Sequence, residues 1–313
     1  MAKVVVLGAG VSGLTSAIRL LEEGHSVEIW AKAITPNTTS DVAAALWWSF
    51  HAEPADRVMS WSTRSFRVFE QLSTDSATGV CMRTGVLALA SNPPPERILT
   101  IPGTKVIVKS ELPAHCSSAV RMRAPMIEMN RYMPWLLNRV KALGGQVREQ
   151  AATSFIEVSP FAEVIVNATG LGAQELTGDT ELYPVRGRVV RVEQVGVEEF
   201  FGNEAGVWPT HILPRQKDIV LGGTYEENVT ELEVPPSMDD EIVERCIAIE
   251  PRLATARRIS GISGLRPARS TIRLELDSSG DGPPVVHNYG HGGAGVTVSC
   301  GCAEEVASLV AQQ

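Results

Sequence analysis

KVVVLGAGVSGL, residues 3–14, is the stretch that decides the fold. Its first five residues, Lys3–Leu7, are rich in β-branched side chains and show no polar alternation, as expected of a strand buried on both faces of a parallel sheet. Leu14, Ala17, Ile18 and Leu21 then recur at helical spacing, and Gly24 stops that helix. Ser26–Trp30 reads as a second strand, so the chain opens on a βαβ unit. Gly8, Gly10 and Gly13 fill the turn between strand and helix in G-x-G-x-x-G spacing. The first glycine makes the tight turn, the second lets a pyrophosphate reach the backbone, and the third lets helix and strand pack closely. Val11 and Ser12 open the helix, where unpaired backbone N–H groups attract an anion. An acidic partner for a ribose is expected at the end of the second strand. Lys32 stands there instead, and Glu28 comes one pleat too early. A lysine would also suit a 2′-phosphate, so this fingerprint leaves FAD, NAD and NADP open.

The remaining chain has room for more than one domain. It holds 313 residues, 44% hydrophobic and 20% charged, with a net charge of −8. An acidic chain without a long basic run is a poor partner for nucleic acid. No apolar run is long enough to span a membrane, and neither a secretion signal nor a peroxisomal address is expected. Five cysteines, at 81, 116, 246, 300 and 302, point to a reducing cytoplasm. They read as buried thiols, with a disulfide from Cys246 to Cys300 or Cys302 as the alternative.

Helices are expected over 56–72, 131–143 with Asn130 as N-cap and Pro134 in the first turn, 237–249 with Ser237 as cap, and 296–310. Strands are expected over 80–90, 163–167, 285–288 and several times within 184–225. The βαβ texture lies at both ends and around residue 165, with sheet-like texture between. This implies an α/β fold: a doubly wound domain assembled from separated segments, with a second sheet domain inserted.

Two further stretches carry chemistry. Residues 35–45, TPNTTSDVAAA, offer hydroxyls followed by small side chains, which would let a flat ring lie on backbone. Residues 287–295, HNYGHGGAG, do the same near the C-terminal helix. His287 and His291 are four apart, but the glycines around them argue against a helix there, and no metal site is expected.

Taken in order, VVVLGAGVSGL, TTSDVAAALW, VNATG, the pair HILP and LGGTY, GLRPAR and HNYGHGGAGVT give the chain its resemblance to the D-amino-acid oxidase family. That family includes D-aspartate oxidases and is related to glycine and sarcosine oxidases. The resemblance covers nearly the whole chain. It implies a Rossmann-like FAD-binding domain from residues 1–75, 130–175 and 260–313, and a mainly antiparallel substrate domain from 76–129 and 176–259. It implies noncovalent FAD, with its ring between the domains, and D-amino acid and dioxygen as substrates. A homodimer is left open.

Carried over by motif, Gly8, Gly10, Val11, Ser12 and Gly13 serve the pyrophosphate, and Lys32 stands at the ribose position. Thr38, Thr39, Ser40, Thr169 and Gly170 line the cofactor path. Gly290, Gly292 and Gly295 approach the flavin, with Val296 and Thr297 at its pyrimidine edge. Arg266 takes the substrate carboxylate, the Gly293 carbonyl takes the amine, and hydride passes from Cα to flavin N5 without a side-chain base. His211 replaces the family's substrate-contacting tyrosine and reads either as a carboxylate partner or as a structural histidine. Phe50, Trp47, Trp48 and Ala294 fall in pocket segments and imply neutral, apolar substrates. Arg215 would be the second cation a D-aspartate oxidase needs, or else a solvated surface arginine. The alternatives are D-aspartate oxidation, or NADP or flavin binding without oxidase chemistry.

Overall fold

The computed structural model describes residues 1–48, 52–112, 116–203 and 209–313. Among the described residues, fourteen strands lie in one sheet: β1 (Lys3–Leu7), β2 (Ser26–Trp30), β3 (Val80–Ala88), β4 (Lys105–Val106), β5 (Ala119–Ile127), β6 (Gln146–Arg148), β7 (Val164–Asn167), β8 (Tyr183–Glu193), β9 (Phe200–Asn203), β10 (Thr210–Pro214), β11 (Asp218–Gly222), β12 (Glu226–Glu227), β13 (Arg258–Asp277) and β14 (Val285–His291). Their order is β4-β5-β3-β9-β10-β11-β8-β13-β14-β7-β1-β2-β6, with β12 attached to β8.

One end of the sheet is parallel. β14, β7, β1, β2 and β6 all run the same way, and β1 pairs with β2 from Lys3↔Ser26 to Leu7↔Trp30. The apolar run of β1 is buried as its sequence demands, with Val4, Val5 and Val6 fully inaccessible. β1 sits between β7 and β2, so the chain leaves it in one direction and returns on its other side. Open α/β sheets bind ligands beyond the strand ends at such a switch point. The other end is mainly antiparallel, with β3 and β9 the parallel exception.

β13 joins the two ends. Residues Arg258–Ala268 ladder with β8, and the strand then ladders with β14 from Ala268 to Asp277. Gly264-Leu265-Arg266-Pro267 lies inside this strand. Pro267 stands opposite Pro184 in the ladder. Two facing prolines need no donor from one another, so the ladder tolerates both. The expected domain boundary at 260 falls within β13.

The helices match the periodicity, but their caps do not. The helix Met129–Ala142 begins two residues before the expected start, after Glu128, and Pro134 falls in its second turn. The helix Pro236–Ile249 uses Pro235 as N-cap and takes Ser237 into its first turn. Proline is preorganised for a helix start, and here it outcompetes the serine signal. All five cysteines are free thiols. Cys246 is directed at the carbonyl of His211 at 3.6 Å, and burial pushes its thiol up to about 12. No helix among the described residues is long and apolar enough to cross a membrane.

Candidate active site

A cavity of about 1160 Å³ opens at the switch point and runs along the sheet to β10. At its first end lies the turn after β1. Gly8 has φ +104°, and a Cβ there would stand 2.4 Å from the Ala168 carbonyl oxygen. A Cβ on Gly13 would stand 2.0 Å from Gly8 O, so this glycine packs helix against strand and does not line the cavity. Gly10 differs: its nearest obstacle would be Ser40 Oγ at 3.2 Å, and its open side is cavity. The helix Val11–Glu22 has no side-chain cap and no acidic residue in its first turn. The Val11 N–H donates to Ser40 Oγ at 2.9 Å, and Val11, Ser12 and Ser40 all face the cavity. That is the electrostatics an anion requires.

Thr38, Thr39 and Lys32 line the same end. Asp41 shapes this turn, accepting from Thr38 Oγ1 and Thr35 Oγ1, each at 2.6 Å. Glu28 is ion-paired with Arg148. On the opposite wall, Thr169 donates to Asn167 Oδ1 at 2.7 Å, and Gly170 turns with φ +60°.

A second helix, Gly295–Val310, also starts on the cavity without a side-chain cap or an acidic first turn. Gly292, Gly293, Gly295, Val296 and Thr297 form its approach. Thr297 Oγ1 donates to Trp48 O at 2.9 Å and accepts from Trp48 N at 3.1 Å, holding Trp48 on the wall. The two helices touch where Thr15 Oγ1 donates to Ser299 O. Polar side chains join them as well. The His291 ring nitrogen Nε2 lies 3.0 Å from Asn288 Oδ1, Asn288 Nδ2 donates to Ser16 Oγ, and Ser16 donates to Ser12 O. With the Asn288 amide donating to Ser16, its oxygen is left to accept, so His291 Nε2 carries the proton.

At the far end, Arg266 reaches over β8. Its Nη1 donates to Thr224 O at 3.3 Å, and its Cζ lies 6.0 Å from the centre of the Tyr225 ring. No carboxylate pairs with it among the described residues, and desolvation pulls the guanidinium below its ordinary value. Arg269 is bound to Asp179 and Glu181, and Arg273 to Glu275 and the Tyr289 hydroxyl. His211, opposite Gly222, lies on the wall with its Nε2 buried and without a partner among the described residues. Burial, aided by the charges of Arg266 and Arg245, lowers the imidazole to about 4, so it is neutral at ordinary pH.

Besides Gly13, four expected site residues lie off the wall. Trp47 is core, donating from its ring to Ser62 O and meeting Phe66 edge-on. Ala294 is packed with Trp61 and Val298. Arg215 is buried, donates to Ala44 O at 3.1 Å and stands 3.9 Å from Asp218, so it is neither a surface cation nor a cavity one. Gly290 has φ +79°, and a Cβ there would meet Arg269 Cβ at 2.9 Å, so it serves strand packing. Phe50 lies outside the described residues. Sequence reasoning missed Asn288 and Ser16, which carry no motif of their own. It also missed Gly187 and Gly222, where a glycine inside a strand is itself a sign of close approach.

A parallel sheet with an uncapped helix after its first strand defines a dinucleotide-binding protein, and the second helix N-terminus at the same cavity narrows that class. The chain belongs to the family described as FAD dependent oxidoreductase (DAO), whose model matches residues 3–309. It is 43% identical to a D-amino-acid oxidase of Rubrobacter xylanophilus, covering 99% of this chain and 96% of that protein. It is 40% identical to one of Streptomyces coelicolor (98% and 96% covered) and 32% identical to human D-aspartate oxidase (99% and 95%). In fold it resembles glycine oxidase from Geobacillus kaustophilus, with a TM-score of 0.82 at 17% identity over 100% of this chain and 95% of that one.

The geometry separates the glycines. Gly10→Val should fold and purify without flavin colour, because the added side chain fills cavity, while Gly13→Val should fail to fold. Full flavin occupancy in Gly10→Val would contradict this assignment. The histidines set a pH dependence. His211, His287 and His291 are each lowered to about 4 by burial, against about 6.5 when unfolded. The unfolded chain binds more protons between those values, so stability is complete above about 6.5 and falls as pH drops towards 4. Urea unfolding should show that decline, and a flat stability across the window would contradict neutral, buried imidazoles.

Proposed function

We propose that the protein is an FAD-dependent oxidase of neutral D-amino acids, yielding the 2-oxo acid, ammonia and hydrogen peroxide. The observation that carries this reading is Arg266: a guanidinium on a cavity wall, without a carboxylate among the described residues, in the same cavity as two open helix N-termini. The D configuration comes from the names of the relatives.

The site's chemistry fits FAD. The helix Val11–Glu22 would hold the pyrophosphate, with Gly10 giving clearance and Ser40 and Thr38 nearby. The helix Gly295–Val310 would face the flavin ring and favour negative charge on it. The flavin is read as noncovalently bound, as the resemblance to the D-amino-acid oxidase family implies. FAD, when bound, supplies the acceptor for the two electrons and the hydrogen that leave substrate Cα.

The chain's own part is orientation. Arg266 presents two parallel N–H donors to the α-carboxylate, and the Gly293 carbonyl accepts from the α-amine. His211, neutral, adds a polar contact without charge. Glu175 is the one carboxylate on the wall among the described residues, and it belongs to the helix Ala173–Thr177 beside Gly170. No carboxylate base is thereby offered at Cα, and rate comes from positioning. Leu46, Trp48, Leu87 and Leu213 give the wall an apolar stretch. Its cations, among the described residues, are Arg266 and Lys32, and Lys32 lies at the cofactor end. With Arg215 off the wall, a second substrate carboxylate has no partner there.

We read residues 1–75, 130–175 and 260–313 as the FAD-binding domain and the rest as the substrate domain, since the parallel strands β1, β2, β6, β7 and β14 all fall in the first set. Free thiols and a net charge of −8 support the reading of a cytoplasmic protein without a nucleic-acid partner.

Charge-assisted hydrogen bonds are worth about 1.5–3 kcal/mol each, so Arg266→Ala should lose ~10²–10⁴ in kcat/KM while keeping its flavin. Arg266→Lys should recover part of the loss. In a peroxide assay, D-valine, D-methionine or D-phenylalanine should lead D-aspartate. Unchanged kinetics in Arg266→Ala, or a clear preference for D-aspartate, would contradict the assignment.

A further inference from the structure

Gly187 sits in the middle of β8, on the cavity wall and directly beneath the Arg266 guanidinium. A Cβ built on it would stand 2.3 Å from both Nη1 and Nη2 and 2.4 Å from Cζ. The guanidinium therefore lies flat on the backbone of the neighbouring strand, in space that every other residue type fills with carbon.

That strand has nowhere to retreat. Gly187 pairs with Gly264 of β13, and a Cβ on Gly264 would meet Val42 Cγ2 at 2.5 Å, so the ladder partner is crowded as well. The flanking arginines are both fixed. Arg186 grips Glu226 with Nε and Nη2, at 2.9 and 2.8 Å, and donates to Glu231 O at 2.7 Å. Arg188 grips Asp239 with Nε and Nη2, at 2.7 and 2.9 Å. Their backbone is tied too, because the Arg188 N–H donates to Thr224 Oγ1, in the residue whose carbonyl receives Arg266. The same device recurs on the neighbouring strand β11: a Cβ on Gly222 would stand 1.9 Å from His211 Nε2.

We propose that Gly187 is a positioning residue for substrate: its missing side chain sets the plane and height of the Arg266 guanidinium, and so the place of the substrate carboxylate. The inference rests on the reading of Arg266 as the carboxylate anchor. Adding one methyl at Gly187 moves the flexible end of Arg266, not backbone, so the chain folds normally. A bidentate pair is directional, and a guanidinium lifted from its bed meets the carboxylate out of plane. Misplacement of about 1 Å can cost on the order of 10²-fold in rate.

The test is a double-mutant cycle on the flavin-loaded enzyme with Gly187→Ala, Arg266→Lys and the pair. The readouts are FAD content, thermal midpoint, kcat and KM for D-valine, and Ki for isovalerate, which keeps the carboxylate and lacks the amine. Gly187→Ala should keep wild-type FAD content and midpoint, and raise KM and Ki together by about 10–100-fold, more than it lowers kcat. In the Arg266→Lys background the same substitution should change Ki less than about twofold, because an ammonium does not occupy that plane. Unchanged KM and Ki in Gly187→Ala would overturn the proposal. So would equal effects in both backgrounds, or a loss of FAD or midpoint that persists with lysine, since either marks a packing residue. Wild-type Ki in Arg266→Lys would instead sink the carboxylate reading on which the proposal rests.

Discussion

A half-buried guanidinium with no carboxylate beside it among the described residues is costly, and Arg266 stands in that state on the cavity wall. Most arginines of this chain find a carboxylate: Arg186, Arg188, Arg191, Arg269 and Arg273 all do so within the same region. Arg266 has a single carbonyl at 3.3 Å and a distant aromatic ring. Burying an unpaired charge is opposed by desolvation. On the proposed reading, the stability lost there would be returned when a substrate carboxylate binds. Arg186 and Arg188 tie β8 to Glu226, Glu231 and Asp239, so Arg266 is presented on a stiff support.

The other end obeys a related constraint with backbone in place of side chains. Two helices begin on one cavity with open N-termini, although residues 11 and 295 are nearly the whole chain apart. β14 brings them together, because it lies beside β7, which lies beside β1. The hydrogen bonds from His291 through Asn288 to Ser16 then tie the segment before the helix Gly295–Val310 to the second turn of the helix Val11–Glu22. β13 couples this end to the substrate end as one strand, with Arg266 in one ladder and Leu274 in the other.

Much of this was legible in the sequence, for reasons that are local. The strand-turn-helix of residues 3–22 is fixed by short-range sterics, and its glycines by close approach, so both appear in the string of letters. The glycines of 287–295 also signalled close approach, whereas the arginine of GLRP was legible only through the resemblance to a family. What stayed hidden depends on distant partners. Trp47 and Ala294 lie in segments that border the cavity, yet each turns into core, and only packing decides which way a side chain faces. Arg215 could not be told from a surface arginine, because its partners, Ala44 O and Asp218, are set by the folded sheet. Pro235 took the cap expected of Ser237, since two adjacent start signals compete by tertiary fit. Gly187 gave a signal that could have been read, a glycine between two arginines inside a strand, but its partner was 79 positions further on.

The central claim is that this cavity orients one enantiomer of an α-amino acid against a bound flavin. Anaerobic mixing of the flavin-loaded protein with D-valine, and separately with L-valine, tests it most directly, with flavin absorbance as the readout. The account predicts rapid bleaching by D-valine and none by L-valine. Bleaching by the L enantiomer, or no bleaching by either in a protein that carries its full FAD, would contradict it.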